Sequence, residues 1–237
     1  VVSLLLSALL AAAAPGSPDP AAFDAVLAAR ARAGGFDYRG TTGQDKKRLA
    51  AYLANLGDAR AEAMRPGERK AFFINAYNAI AIQTLLENPG RKILDVPGAF
   101  DKKTWRVAGK ERTLDQIEKV DLKAFGDPRI HFAIVCASAS CPPLAPKAYR
   151  EEGLEEALER QARLFVNDPR RNQLGGAEGR IALSKIFEWN RAEFETKGQT
   201  LPAAVARWVT DPAARERLQS HTGPIDFLEY DWSPNQP

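Results

Sequence analysis

The residues able to carry covalent or acid–base chemistry are few, and most lie in one stretch. Arg129 to Pro143 (RIHFAIVCASASCPP) contains both cysteines and one of the two histidines of the chain, with Ser138 and Ser140 between the cysteines. Three thiol chemistries compete there. Four intervening residues are enough to close a Cys136–Cys141 disulfide loop. A histidine could instead activate one thiol as a nucleophile, as cysteine hydrolases require. The third reading is a pair of reduced thiols, inert or redox-active. Cysteine is buried by default, so Cys136, at the end of an apolar run, also reads as core; Cys141, beside serines and two prolines, is less core-like. His131, Cys136, Cys141 and His221 have zinc-ligand chemistry, but their spacing matches no ordinary zinc signature.

Spacing constrains which base could serve which thiol. Ile130 to Val135 is apolar apart from His131 and reads as a central strand running into Cys136. Five residues of strand would separate His131 from Cys136 by about 16 Å and put them on opposite faces. His221, in the loop Ser220 to Pro224, could reach either thiol, although an exposed loop histidine is its plainer reading. Glu118, Glu188, Glu193 and Asp231 sit beside apolar or aromatic residues, where burial would raise a carboxyl pKa and make an acid or base. Capping or ion pairing is the plainer role for each. The sequence has no glycine-rich phosphate loop, dinucleotide fingerprint or Gly-x-Ser-x-Gly elbow, so neither a cofactor nor a metal is expected.

These groups must be positioned by a helix-rich scaffold. The clearest helix starts at Pro66, has Glu68 at its positive end and stops before Pro89-Gly90. From Ala71 to Ile82 it carries no charge, which places it in the middle of a fold. Asn75 and Asn78 share one face of it, and a buried amide must find partners or cost about 1–3 kcal/mol. They either bind loop backbone or serve the chemistry. Further helices are expected over Ala21 to Ala33, Gln44 to Leu56, Glu151 to Val166, Lys185 to Thr196 and Leu201 to Leu218, the last broken near Asp211-Pro212. A hairpin is expected around Ala108-Gly109, a capping box at Thr113 to Gln116, and short strands at Ile181 to Leu183 and Ile225 to Leu228. The fold class is therefore α+β: a helix-rich single domain with a small β-sheet around a central apolar helix.

The 237 residues suffice for one substantial domain. The 33 basic and 30 acidic side chains nearly cancel and are scattered, so the basic footprint of a nucleic-acid partner is missing. Residues 1–14 are apolar and uncharged, too short for a bilayer span but suited to the remnant of a secretory signal. The expected organisation is that signal remnant, an N-terminal helix or linker over 15–35, and one domain over 36–237. A periplasmic or secreted location follows, with no stable membrane span once the signal is removed.

Several segments together resemble the family called domain of unknown function 547. They are Phe72 to Ala79 (FFINAYNA), Leu114 to Glu118 (LDQIE), Ile130 to Leu144, Ile186 to Trp189 with Glu193-Phe194, and Tyr230 to Ser233. The chain departs from the family pattern at Val135 and Pro234. The resemblance implies characteristic polar residues at Asn75, Tyr77, Asn78, His131, Cys136, Ser140 and Cys141. Relatives with serine in place of Cys141 make Cys136 the better candidate for a shared role. The expectation for function is an exported cysteine-dependent hydrolase or acyl-transferase acting on an amide or peptide-like substrate. Cys136 is the expected nucleophile and Cys141 the fallback, with His131 or His221 as base. Asn75 or Asn78 would orient that base or polarise a carbonyl, and Tyr77, Ser138, Ser140 and Glu118 are binding candidates. The alternative is a non-enzymatic secreted binding module with a structural Cys136–Cys141 disulfide. In either case the partner is a small molecule or peptide.

Overall fold

The computed structural model describes residues 16–175, 180–195 and 198–237. The proposed signal remnant and Thr196, the last residue of one expected helix, lie outside the described residues. Helix α1 (Ala21–Arg30) leads into the small hairpin β1 (Ala31–Arg32) and β2 (Gly35–Phe36), then α2 (Gly43–Asp58). Thr42 and Asp45 cap α2 reciprocally, side chain to backbone in both directions. Phe23 stacks on Tyr52 at 5.1 Å between ring centroids, and Phe23, Val26 and Leu27 bury in the same core as Leu49 and Leu56. Within the stretch expected as an N-terminal helix or linker, α1 is thus built into the core.

Helix α3 (Pro66–Glu87) is the axis of the fold, and every residue from Ala71 to Ile82 on it is buried. Pro66 starts it without losing a needed N–H, and Glu68 accepts a hydrogen bond from the Arg65 N–H at 3.3 Å. Strands β3 (Trp105–Val107) and β4 (Lys110–Arg112) form the expected hairpin. Thr113 and Gln116 then cap α4 (Leu114–Gln116), which widens into a π-helical turn over Ile117–Leu122. Such wide turns re-aim side chains, and this one carries Glu118.

The remaining elements build a second apolar cluster. Helix α5 (Leu154–Val166) buries Leu154, Leu158, Ala162, Phe165 and Val166 along one face. Strands β5 (Gln173–Leu174), β6 (Ile181–Leu183) and β7 (Asp226–Phe227) form a three-stranded sheet, antiparallel between β5 and β6 and parallel between β6 and β7. Helices α6 (Lys185–Trp189), α7 (Arg191–Phe194), α8 (Leu201–Ala206) and α9 (Pro212–Ser220) complete it. The expected helix over Lys185 to Thr196 is thus two short ones that meet at Asn190. Phe132 lies at the centre of this cluster, 5.1 Å from Phe165 and 5.2 Å from Trp208 between ring centroids. The architecture is α+β and helix-rich, with the β-structure among the described residues divided among three small sheets. No helix among the described residues is long and apolar enough to cross a membrane.

The expected strand over Ile130 to Val135 is absent. Pro128–Phe132 is a 3-10 helix, and the chain then runs irregularly to Cys136. The Asp127 side chain accepts from the Arg129 N–H at 3.1 Å and Pro128 fixes the first turn, so the segment starts as a helix. A short apolar run fits a buried strand and a buried helical turn equally well, and here the cap decides.

Candidate functional site

Asn78 fixes the approach to the thiols. Its Nδ2 donates to the Ala133 carbonyl at 3.0 Å, and its Oδ1 accepts from the Val135 N–H at 2.8 Å. It thereby gives this irregular backbone the pairing a sheet would have supplied. Asn75 clamps a different loop in the same way, through the carbonyl and N–H of Tyr149, both at 2.8 Å. Each amide holds main chain with one N–H and its oxygen, and neither lines the cavity that holds the cysteines.

Beyond Val135 the chain turns sharply, with Ala137 in the left-handed region at φ 66°. The turn is held from two sides. Arg171 Nε donates to the Cys141 carbonyl at 2.7 Å, and its Nη2 donates to the Ala139 carbonyl at 3.2 Å. Opposite, the segment 231–235 lies along the turn: Ala139 N–H donates to Ser233 O at 2.7 Å and Asn235 N–H to Ala137 O at 3.0 Å. Ser140 joins in, its Oγ accepting from the Asp231 N–H at 2.9 Å. The N–H of Phe36 donates to Asn235 O at 2.9 Å, which ties the same strap to the β1–β2 hairpin.

This scaffold brings the two sulfurs to 2.7 Å from each other, both as free thiols. Cys136 is half-buried, whereas Cys141 is 2% exposed. The Tyr230 hydroxyl lies 3.4 Å from Cys136 Sγ and 3.2 Å from Cys141 Sγ, the Cys136 N–H donates to Cys141 Sγ at 3.1 Å, and Ser138 Oγ is 3.5 Å from Cys136 Sγ. The two thiols titrate apart. The hydrogen bond from Cys141, helped by Ser138 and Tyr230, pulls Cys136 down to about 7 against the cost of its burial. Burial first, then the Cys136 sulfur, push Cys141 well above the ordinary thiol range. Proximity makes the pair share one negative charge, and that charge sits on Cys136.

Both thiols line a cavity of about 540 Å³. Phe100, Trp189, Tyr230 and Trp232 form an aromatic wall, with Trp189 and Trp232 stacked at 5.8 Å. His131, Glu118 and Tyr77 line the same cavity. His131 Nε2 is 3.0 Å from Glu193 Oε2 and its Nδ1 is 3.8 Å from Glu118 Oε1, so the ring lies between two carboxylates. Those carboxylates differ sharply. Burial raises Glu118, even though His131 and a hydrogen bond with Tyr77 oppose the shift. The hydrogen bond with His131, together with Lys123, lowers Glu193. Burial, then Glu118, hold the Tyr77 phenol well above its usual range.

The site residues named from sequence thus separate into groups. Cys136, Cys141, His131, Glu118 and Tyr77 meet in the cavity; Ser138 and Ser140 shape the turn; Asn75 and Asn78 hold loops. The opposite-face argument that kept His131 from Cys136 fails with the strand it assumed, and the two residues share a cavity. Even so, no imidazole is among the hydrogen-bond partners of either sulfur. His221 lies elsewhere, its Nε2 3.1 Å from the Pro224 carbonyl, lining a different cavity with Arg191 and Glu195. The four zinc-type ligands are therefore not brought together, and among the described residues no three His, Cys, Asp or Glu side chains are grouped to hold a metal. Sequence reasoning missed Arg171, and it reached Tyr230, Trp189 and Trp232 only through the family resemblance. Tyr230 is 94 residues from Cys136 along the chain, and no local pattern connects them.

Residues 61–166 match the family described as Protein of unknown function, DUF547. The matched span includes Asn75, Tyr77, Asn78, Glu118, His131 and both cysteines, and it ends before Glu193, Tyr230 and Trp232. Neither a curated protein nor a solved structure matches the chain.

Proposed function

We propose that this chain, whose residues 61–166 carry that family's pattern, is an exported cysteine-dependent hydrolase or acyl-transferase acting on an amide or peptide-like substrate. The observation that carries the reading is one cavity holding an acidified thiol, Cys136, and a carboxyl whose pKa burial raises, Glu118. Two groups pushed in opposite directions are the signature of a nucleophile and an acid. Cys136 Sγ attacks the carbonyl carbon, and the C–N bond breaks. The departing amine takes its proton from Glu118, and the acyl group remains as a thioester on Cys136. Water or a second nucleophile then cleaves the thioester, and its proton returns to Glu118. The Tyr230 hydroxyl, 3.4 Å from Cys136 Sγ, donates to the carbonyl oxygen as negative charge develops there. His131 keeps Glu118 and Glu193 in place and does not touch the thiol.

The test is the pH dependence of alkylation at Cys136, followed by mass, with an activated ester as acyl donor. At neutral pH about half of Cys136 is thiolate, against about 3% for an ordinary thiol, but lower basicity weakens each thiolate about fivefold, leaving a net advantage of roughly threefold. The expected result is a labelling midpoint near 7 and a hydroxylamine-sensitive acyl adduct on Cys136 that Cys136→Ser does not form. A midpoint in the ordinary thiol range with no adduct would overturn the reading.

The 2.7 Å sulfur separation favours a second reading, a binding module with Cys136 and Cys141 bridged and the aromatic wall serving recognition alone. In that case neither thiol labels until the protein is reduced.

A further inference from the structure

Cys141 has no task in acyl transfer, yet it is the residue that most strongly acidifies Cys136. Its sulfur is 2.7 Å from that of Cys136, it is 2% exposed, and its carbonyl is pinned by Arg171. A disulfide partner reaches Cys136 first, because Cys136 is half-buried whereas Cys141 is buried. The turn between the cysteines is braced by Arg171 and by the strap 231–235, which hold the backbone that brings the two sulfurs together. From this geometry we propose a second activity at the same cavity: reversible thiol–disulfide exchange with small organic disulfides, in which Cys136 attacks and Cys141 resolves. The proposal rests on the reading of Cys136 as the nucleophile and goes beyond it in giving Cys141 a chemical step.

The exchange balances in two steps. Cys136 thiolate attacks one sulfur of the disulfide, forming a protein–S–S–R bond and releasing one thiolate. Cys141 Sγ then attacks Cys136 Sγ, forming the internal disulfide and expelling the second R–S group, which takes the Cys141 proton. The protein dithiol loses two electrons, and the organic disulfide gains them as two thiols. Once Cys136 is in the mixed disulfide its negative charge is gone, and with it the repulsion that helped hold the proton on Cys141. The first step thereby primes the second. The Tyr230 hydroxyl, within 3.4 Å of both sulfurs, donates to whichever one carries charge. The aromatic wall favours an apolar R group.

The experiment uses the full, reduced protein with hydroxyethyl disulfide as probe, read by intact and peptide mass and by thiol release. The expected result for wild type is a loss of two hydrogens, linked Cys136 and Cys141 peptides, two equivalents of mercaptoethanol released, and full reversal by dithiothreitol. Cys141→Ser should stop at one mercaptoethanol adduct on Cys136. If wild type keeps a stable single adduct on Cys136, the nucleophile reading stands and the resolving role of Cys141 is overturned. If wild type acquires no adduct and forms no internal disulfide, both readings fall. An adduct on Cys141 in place of Cys136 overturns the assigned order. The wild-type outcome decides the matter even if Cys141→Ser fails to fold.

Discussion

Replacing Asn78 tests whether its amide holds the thiol loop or takes part in chemistry. Asn78→Leu keeps the side chain close in size but leaves the Ala133 carbonyl and the Val135 N–H without partners. Asn78 is 3% exposed, so water does not substitute freely. Each unpaired buried group costs about 1–3 kcal/mol, giving about 4 kcal/mol for the two. In a domain of this size that lowers Tm by about 8–16 °C. The ionised form of Asn78→Asp should lose at least as much, because its carboxylate still accepts from Val135 but is buried and meets the Ala133 carbonyl with an acceptor. Burial raises the pKa of the introduced carboxyl, and its protonated form both accepts and donates. The Asn78→Asp deficit should therefore be smaller in mildly acidic buffer and grow as pH rises through that raised pKa. The assay is thermal unfolding across pH, paired with the alkylation midpoint of Cys136 in each folded variant. Loss of turnover in Asn78→Leu with wild-type Tm and an unchanged midpoint would refute the argument and place the amide in the reaction.

Three further outcomes follow from the same geometry. Tyr230→Phe removes a hydroxyl that hydrogen-bonds both sulfurs, so the alkylation midpoint of Cys136 should rise, and by less than in Cys141→Ala, which removes its strongest partner; equal shifts, or none, would refute that ranking. Trp189 is 52% exposed and stacked on Trp232, so Trp189→Ala should leave Tm almost unchanged while weakening an apolar fluorescent probe in the cavity by about fivefold, equivalent to about 1 kcal/mol, measured by titration. Burial opposes ionisation of Asp127, but hydrogen bonds from Arg129 and Lys70 outweigh it and hold the carboxyl at about 2. A depressed carboxyl contributes stability above its unfolded value of about 4 and loses it as pH falls toward 2, here on the order of 1 kcal/mol after solvent screening. Denaturant titrations of Asp127→Asn across that window should show a shallower acid decline than wild type.

Local chemistry made the helices legible and tertiary pairing hid the site. Pro66 and Glu68, the uncharged run Ala71 to Ile82, and the Thr113–Gln116 cap each act within a few residues, and each appears where its residue types direct. The apolar run Ile130 to Val135 misled because its partners are not local: Asn78, 55 residues away from Ala133, replaces a strand neighbour. The same limit applies to the cavity. Spacing could flag Cys136, Cys141, His131 and Glu118 as candidates, but it could not reveal that Glu193 reaches back 62 residues to His131. Nor could it show that Arg171 braces the thiol turn, since an arginine after Pro169-Arg170 looks like any surface cation.

The strap at 231–235 has a consequence for how the protein is made. A chain leaves the ribosome from its N-terminus and folds largely in that order. Both cysteines are therefore exposed to the oxidants and thiols of the surroundings while almost 90 residues still separate Cys141 from Tyr230. The bracing backbone bonds, and the hydroxyl between the sulfurs, arrive only when the last part of the site has emerged. The share of their unequal character that Tyr230 supplies is acquired at the final stage of folding, so chains interrupted upstream of it carry both cysteines without that hydroxyl or the strap that braces their turn.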